Sequence, residues 1–146
     1  MTIKIRQSRP EDGPKVIDIW KTAVDATHDF LSDDDREAIE EEVKGFLPQV
    51  ALWLVVDTND VPVGFMFIHE SHMEALFVDA SARGTGVGRT LIEYALSLYP
   101  NLTTDVNEQN EQAVGFYTRM GFQVTGRSEL DGQGRAYPLL HLKYSS

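Results

Sequence analysis

Seven consecutive residues, Arg83-Gly84-Thr85-Gly86-Val87-Gly88-Arg89, hold the densest chemistry in this sequence. Glycine at every second position lets a chain turn with its N–H groups facing one way, and a concave run of amides attracts anions. Apolar residues at 87, 91, 94, 95 and 98 follow at helical spacing. The loop therefore opens a helix whose first N–H groups lack intrahelical partners and whose dipole end is positive. Together they predict a phosphate-sized anion site, to which Arg83 and Arg89 can add charge-assisted hydrogen bonds. The plain alternative is a glycine-rich turn with surface arginines. Two other phosphate loops fail on spacing. A Walker loop ends Gly-Lys-Ser/Thr, whereas Gly88 is followed by Arg89-Thr90. A dinucleotide fingerprint reads G-x-G-x-x-G near a first strand, whereas these glycines read G-x-G-x-G and arrive after residue 80.

The loop needs a strand before it and a helix behind it, and the surrounding pattern provides both. Thr2 to Gln7 alternates apolar and polar residues, a half-buried strand. A helix starts at Arg9-Pro10-Glu11-Asp12 with Val16, Ile17, Trp20 and Val24 on one face, and Ser32-Asp33-Asp34-Asp35 opens a second. Runs 51–57 and 61–68 form a hairpin about Thr58-Asn59-Asp60. His72 to Val78 is the strand before the loop, and Leu102 to Val106 follows the loop's helix. Asn107 reads as the cap of a last helix that carries Ala113, Phe116, Tyr117 and Met120 and stops at Gly121. Strands 122–130 and 137–144 close the chain. The order β-α-α-β-β-β-α-β-α-β-β predicts an α/β (α+β) fold, a mixed central sheet of about seven strands with helices on both faces. With no repeat or linker, residues 1–146 read as one domain.

On strand 72–78, Met73, Ala75 and Phe77 share one face and His72, Glu74 and Leu76 the other. The first set reads as core, which leaves His72 and Glu74 as titratable groups on the open side; a one-residue bulge would exchange the faces. Tyr117 continues the apolar stripe 113, 116, 120 and by periodicity alone reads as packing. His69-Glu70-Ser71-His72 is not H-E-x-x-H, and the acidic runs 33–35 and 40–42 lack calcium-loop spacing, so no metal is expected.

Thirteen Lys and Arg against 23 Asp and Glu give a net charge of −10. That argues against nucleic acid and for cationic partners. The absence of cysteine excludes a thiolate nucleophile. No apolar run reaches membrane-span length, so the expectation is a cytoplasmic protein without a membrane role, monomer or homodimer.

Arg83-x-x-Gly86-x-Gly88 between a strand and an amphipathic helix resembles the acetyl-CoA signature of the GNAT superfamily of N-acetyltransferases. Asn110, Ala113, Phe116 and Tyr117, followed by Gly121-Phe122, resemble that family's second motif. The resemblance runs from Ile3 to Tyr144. It implies a splayed sheet in which Leu76, Phe77 and Val78 offer a free edge to the pantetheine arm by strand addition. It implies that the amides of Gly84, Thr85, Gly86, Val87, Gly88 and Arg89 hold the pyrophosphate, with Asn110, Phe116 and Asn107 near the cofactor. Direct attack of an amine on acetyl-CoA then follows, with no metal. An alkylammonium has a pKa of about 10.4, so presenting it neutral near pH 7 costs roughly 4 kcal/mol and a base helps. The resemblance makes Tyr117 the acid for the leaving thiolate, with His72 or Glu74 as the base. Asp25, His28, Asp29 and Phe30 lie where this family builds its acceptor pocket, and Asp105 ends a strand beside the splay. The acceptor is a small-molecule or peptide amine. A non-catalytic acyl-CoA sensor needs the loop but neither acid nor base, and is the alternative.

Overall fold

The computed structural model describes residues 4–145, so Thr2 and Ile3 of the expected first strand lie outside the described residues. Element order follows the pattern read from sequence: β1 (Lys4–Gln7), α1 (Gly13–Thr27), α2 (Asp33–Phe46), β2 (Trp53–Val56), β3 (Pro62–His69), β4 (His72–Val78), α3 (Val87–Leu98), β5 (Thr103–Asn107), α4 (Glu111–Met120), β6 (Phe122–Ser128) and β7 (Leu139–Tyr144). The strands form one mixed seven-stranded sheet in the order β1-β2-β3-β4-β5-β7-β6. The chain divides into two compact units. One comprises the chain up to Phe67 with Ala75–Ile92, the other Ile68–Glu74 with the chain from Glu93 onward.

In the first unit, β1 pairs antiparallel with β2 and β2 with β3. Val16, Ile19, Trp20 and Val24 of α1 pack with Leu54, Val56 and Phe65, and Ala75 and Phe77 of β4 lie against the same cluster. Asp12 fixes the entry to α1. Its carboxylate accepts from Arg6 at 2.8 and 3.0 Å and from the Arg9 N–H at 2.7 Å. Ser32 caps α2, accepting from the Asp35 N–H at 3.2 Å, and the acids 33–35 occupy the first turn, where the helix dipole favours them. No residue of α2 is fully buried. It is tied to α1 by Arg36, which bonds Asp25 at 2.9 Å and lies 5.0 Å over the Trp20 ring.

In the second unit, β5 and β7 pair antiparallel, β6 joins β7 with a bulge between Val124 and Gly126, and β4 pairs parallel with β5 at His72 and Met73. Several boundaries differ from the sequence reading. Asn110, not Asn107, caps α4: its side chain accepts from the Ala113 N–H at 3.2 Å, while Asn107 is the last residue of β5, paired with Leu139. The last two strands are shorter than expected. Asp131 folds the chain between them back on itself by accepting from the Gln133 and Arg135 N–H groups, both at 2.9 Å. Pro138 has no N–H to give a ladder, so β7 begins one residue later. Gly121 closes α4 in the left-handed conformation, φ 104°, as read from sequence.

Candidate active site

The anion loop begins where β4 ends. The Asp79 N–H donates to Val63 O at 2.9 Å, and the Asp79 carboxylate accepts from the Ser81 N–H, starting a single 3-10 turn over Ala80–Ala82. The chain then turns through Gly84 and Gly86 at φ 78° and 89°, values that L side chains rarely adopt. A Cβ at either position would meet no atom within 4 Å, so the space beside each of these glycines is open. The Thr85 hydroxyl donates to Ala82 O, closing the loop on itself. The carbonyl of Gly86 accepts the Thr90 N–H at 2.9 Å, the first rung of α3. The amides of Val87 and Gly88 therefore open the helix with no carbonyl one turn earlier to receive them.

Two details refine the sequence reading. Gly88 lies inside α3 rather than at a positive-φ turn, so two of the three glycines make the bend. Val87 is only 3% exposed, so its side chain anchors the loop in the core and its amide alone can face a ligand. Gly64 on β3 makes room for it, since a Cβ there would stand 2.7 Å from Val87 Cγ1.

The half-buried residues Leu76, Phe77 and Val78 lead into the loop. Pairing of β4 with β5 comprises His72↔Thr103 and Met73↔Thr104, so the β5-side edge of β4 from Leu76 to Val78 carries no ladder pair. Free backbone groups on such an edge can receive an amide-containing chain. The Phe77 ring lies 5.6 Å from Phe65 and 6.5 Å from His28, which follows α1.

In the second unit, Tyr117 is the buried ring of α4, with its centroid 5.3 Å from Phe116 and 5.5 Å from Phe122. Phe116, which the stripe placed inward, is half-buried. Burial pushes the Tyr117 phenol above its ordinary value, and the Thr104 hydroxyl opposes this weakly. Tyr117 is therefore protonated at neutral pH, the form that can donate.

A model of the GNAT acetyltransferase domain matches residues 17–137. The chain belongs to the GNAT family of acetyltransferases. It is 58% identical over 144 residues to Escherichia coli YjaB, a peptidyl-lysine N-acetyltransferase, covering 99% of this chain and 98% of that one. It is 32% identical to a 5-NmdU N-acetyltransferase of Pseudomonas phage PaMx11, covering 92% and 96%. The solution structure of apo YjaB from Escherichia coli superposes with a TM-score of 0.96 at 57% identity, covering 100% of this chain and 99% of that one.

His72 and Glu74 both lie on β4; Glu74 is exposed and His72 half-buried. Both ring nitrogens of His72 are engaged: Nδ1 lies 2.7 Å from Thr103 Oγ1 and Nε2 3.3 Å from Asp105 Oδ2. The other oxygen of Asp105 lies 2.6 Å from His141 Nδ1, and His141 Nε2 lies 2.6 Å from Ser128 Oγ. A carboxylate oxygen accepts, so His141 Nδ1 donates to Asp105 and His141 Nε2 accepts the Ser128 hydroxyl hydrogen, while His72 Nε2 stands within ion-pair distance of the other Asp105 oxygen. These hydrogen bonds and the His72–Asp105 contact together involve four strands. Sequence reading named Asp105 and His72 but missed His141 and Ser128, because cross-strand neighbours depend on register and on the 124–126 bulge. Among the described residues no group of three or more His, Cys, Asp or Glu is placed to hold a metal, and no helix is long and apolar enough to cross a membrane.

Proposed function

We propose that this chain transfers the acetyl group of acetyl-CoA to the side-chain amine of a lysine in a peptide or protein. The observation that carries the reading is the open, positive-φ glycine loop feeding directly into α3. The amides from Gly84 to Arg89 bind the pyrophosphate, helped by the Arg83 and Arg89 charges, and the unpaired β4 edge at Leu76–Val78 receives the pantetheine arm. Asn107, Asn110 and Phe116 contribute to cofactor contact. With Asn110 Oδ1 committed to capping α4, its amide nitrogen is the group left for a ligand.

The neutral amine nitrogen attacks the thioester carbonyl, the C–S bond breaks, and Tyr117 gives its proton to the departing thiolate and is restored by the proton that the acylated nitrogen loses. A positioned acid of this kind contributes about 10²–10⁴-fold. The choice of lysine rests on likeness to YjaB, 58% identical across nearly the whole chain. A net charge of −10 suits a cationic acceptor.

The test is release of coenzyme A thiol from acetyl-CoA in the presence of an N-terminally blocked lysine peptide, with the product mass checked for one acetyl group. A Gly86→Glu variant, which sets a negative side chain in the loop, is expected to lose both turnover and the thermal shift given by coenzyme A. Coenzyme A binding without transfer to any amine would favour the sensor reading. No binding at millimolar concentration would remove the basis of both.

A further inference from the structure

We propose that His28 is the general base that removes the proton from the acceptor ammonium; this rests on the transferase reading above.

His28 stands at the C-terminal end of α1, and its backbone is held on both sides. Its N–H donates to Val24 O at 2.8 Å, and its carbonyl accepts from the Leu31 N–H at 3.2 Å. The Thr27 hydroxyl donates its only hydrogen to Ala23 O at 2.7 Å. Thr27 Oγ1 also lies 2.7 Å from His28 Nδ1, and with its hydrogen committed it can only accept there. With the Thr27 hydroxyl hydrogen assigned to Ala23 O, the proton is assigned to Nδ1 and the lone pair to Nε2. Among the described residues no buried side-chain nitrogen or oxygen lacks a partner, and His28 makes no other side-chain hydrogen bond. Nε2 is thus open to an incoming group.

The surroundings keep that nitrogen basic but unprotonated. From the 28–30 turn Phe30 packs at 5.2 Å, and from β4 Phe77 packs at 6.5 Å. From α1 the contact is Thr27. Burial among these groups lowers the imidazole's affinity for a proton, and Asp29, the one charged residue that bears on it, opposes this as the smaller effect. A histidine neutral at physiological pH, with one nitrogen fixed as donor and the other open, has the form a base requires. Its location fits the same task. Phe77 is the middle residue of the β4 edge assigned to the pantetheine arm, so His28 lies beside the strand that would carry the thioester. Neither ring nitrogen of His72 is open in this way.

The step balances. An ammonium N–H bond breaks as Nε2–H forms, and the freed lone pair attacks the thioester carbonyl; the C–S bond breaks, the thiolate takes the Tyr117 proton, the second proton of the acylated nitrogen restores the phenol, and the imidazolium returns its proton to water.

The experiment is kcat/KM for acetyl-CoA and the blocked lysine peptide from pH 6 to 10, in the wild type and in His28→Gln and His28→Asn. With a base in place, kcat/KM rises only at acidic pH, below the ordinary histidine value of about 6.5, and is flat through neutrality. Without it, only amine that is already neutral reacts. The variants should fall about 10²–10⁴-fold at pH 7 and recover tenfold per pH unit towards the amine pKa of about 10.4. Added imidazole should restore part of the rate, and the coenzyme A dissociation constant should not change, which shows that the variants are folded. A deficit equal at every pH, or a wild-type profile in the variants, overturns the assignment while leaving the transferase reading standing. Absence of peptide-dependent thiol release by the wild type overturns both.

Discussion

Gly64 is the position where one methyl group should cost both stability and cofactor affinity. A Cβ there would sit 2.7 Å from Val87 Cγ1 and 3.3 Å from Phe77 O, against an ordinary contact at 3.6 Å with Leu91 Cδ1. Neither close neighbour gives easily. Val87 is β-branched, stiff about χ1 and 3% exposed, and the other atom is β4 backbone. The first turn of α3 must therefore move outward, taking the loop amides with it. Overpacking of this kind costs about 1–3 kcal/mol. At about 2–4 °C per kcal/mol for a chain of this size, Gly64→Ala should melt several degrees below wild type. Val87→Ala removes the clashing carbon, and alone it costs about 2 kcal/mol for two buried methyl groups and the space they leave. In the double variant the new Cβ occupies part of that space. A double-mutant cycle by urea denaturation should then show the pair more stable than additivity by at least about 1 kcal/mol. Coenzyme A affinity, measured by calorimetry, should fall in Gly64→Ala and recover in the double variant. Strict additivity together with unchanged affinity in Gly64→Ala would refute the claim that this contact sets the loop's position.

Other expectations are more compact. Tyr117→Phe should lower kcat about 10²–10⁴-fold with little change in coenzyme A affinity, read from steady-state kinetics beside calorimetry. Asp12→Asn should cost about 3 kcal/mol at neutral pH, because it breaks a largely buried pair with Arg6 and the bond to the Arg9 N–H. The Arg6 guanidinium holds the Asp12 carboxyl below its ordinary value, so the stabilisation is complete above the unfolded carboxylate pKa and is lost as pH falls through the lowered one. Chemical denaturation should show the variant and wild type converging only below about pH 4. Glu70 and Ser71 turn the β3–β4 hairpin at φ 50° and 62°. Replacing them with Asn-Gly should raise stability by about 1 kcal/mol, measured by thermal melting.

Several elements were legible because their signals are local. The 58–60 turn, the Ser32 cap, the Gly121 stop and the strand-loop-helix about residue 83 each depend on residues a few positions apart. The α4 cap was misplaced by three residues because Asn107 and Asn110 are chemically equivalent caps. Choosing between them requires knowing that β5 keeps Asn107 in its ladder with Leu139. The stripe 113, 116, 120, which Tyr117 continues, read both rings as packing; Tyr117, one turn after Ala113, is buried and Phe116 only half-buried, because neighbouring aromatics on a short helix leave that difference to packing. The Asp105–His141–Ser128 chain was illegible for another reason. It joins residues 13 and 36 positions apart through strand register, and a bulge shifts that register.

The −10 charge and the loop belong to one physical argument. A protein of this charge repels a polyanionic cofactor at long range, but screening confines that repulsion to about 8–10 Å in physiological salt. Inside that distance the field is local. Near the loop it is set by backbone amides at a helix start, which carry partial positive charge without adding a titratable group. In the proposed function the acidic surface favours a cationic acceptor while the loop gathers phosphate. This division works only while the amides stay aimed outward. The two left-handed glycines and the buried Val87 side chain fix the loop's path, so under the proposed function geometry rather than net charge governs cofactor binding.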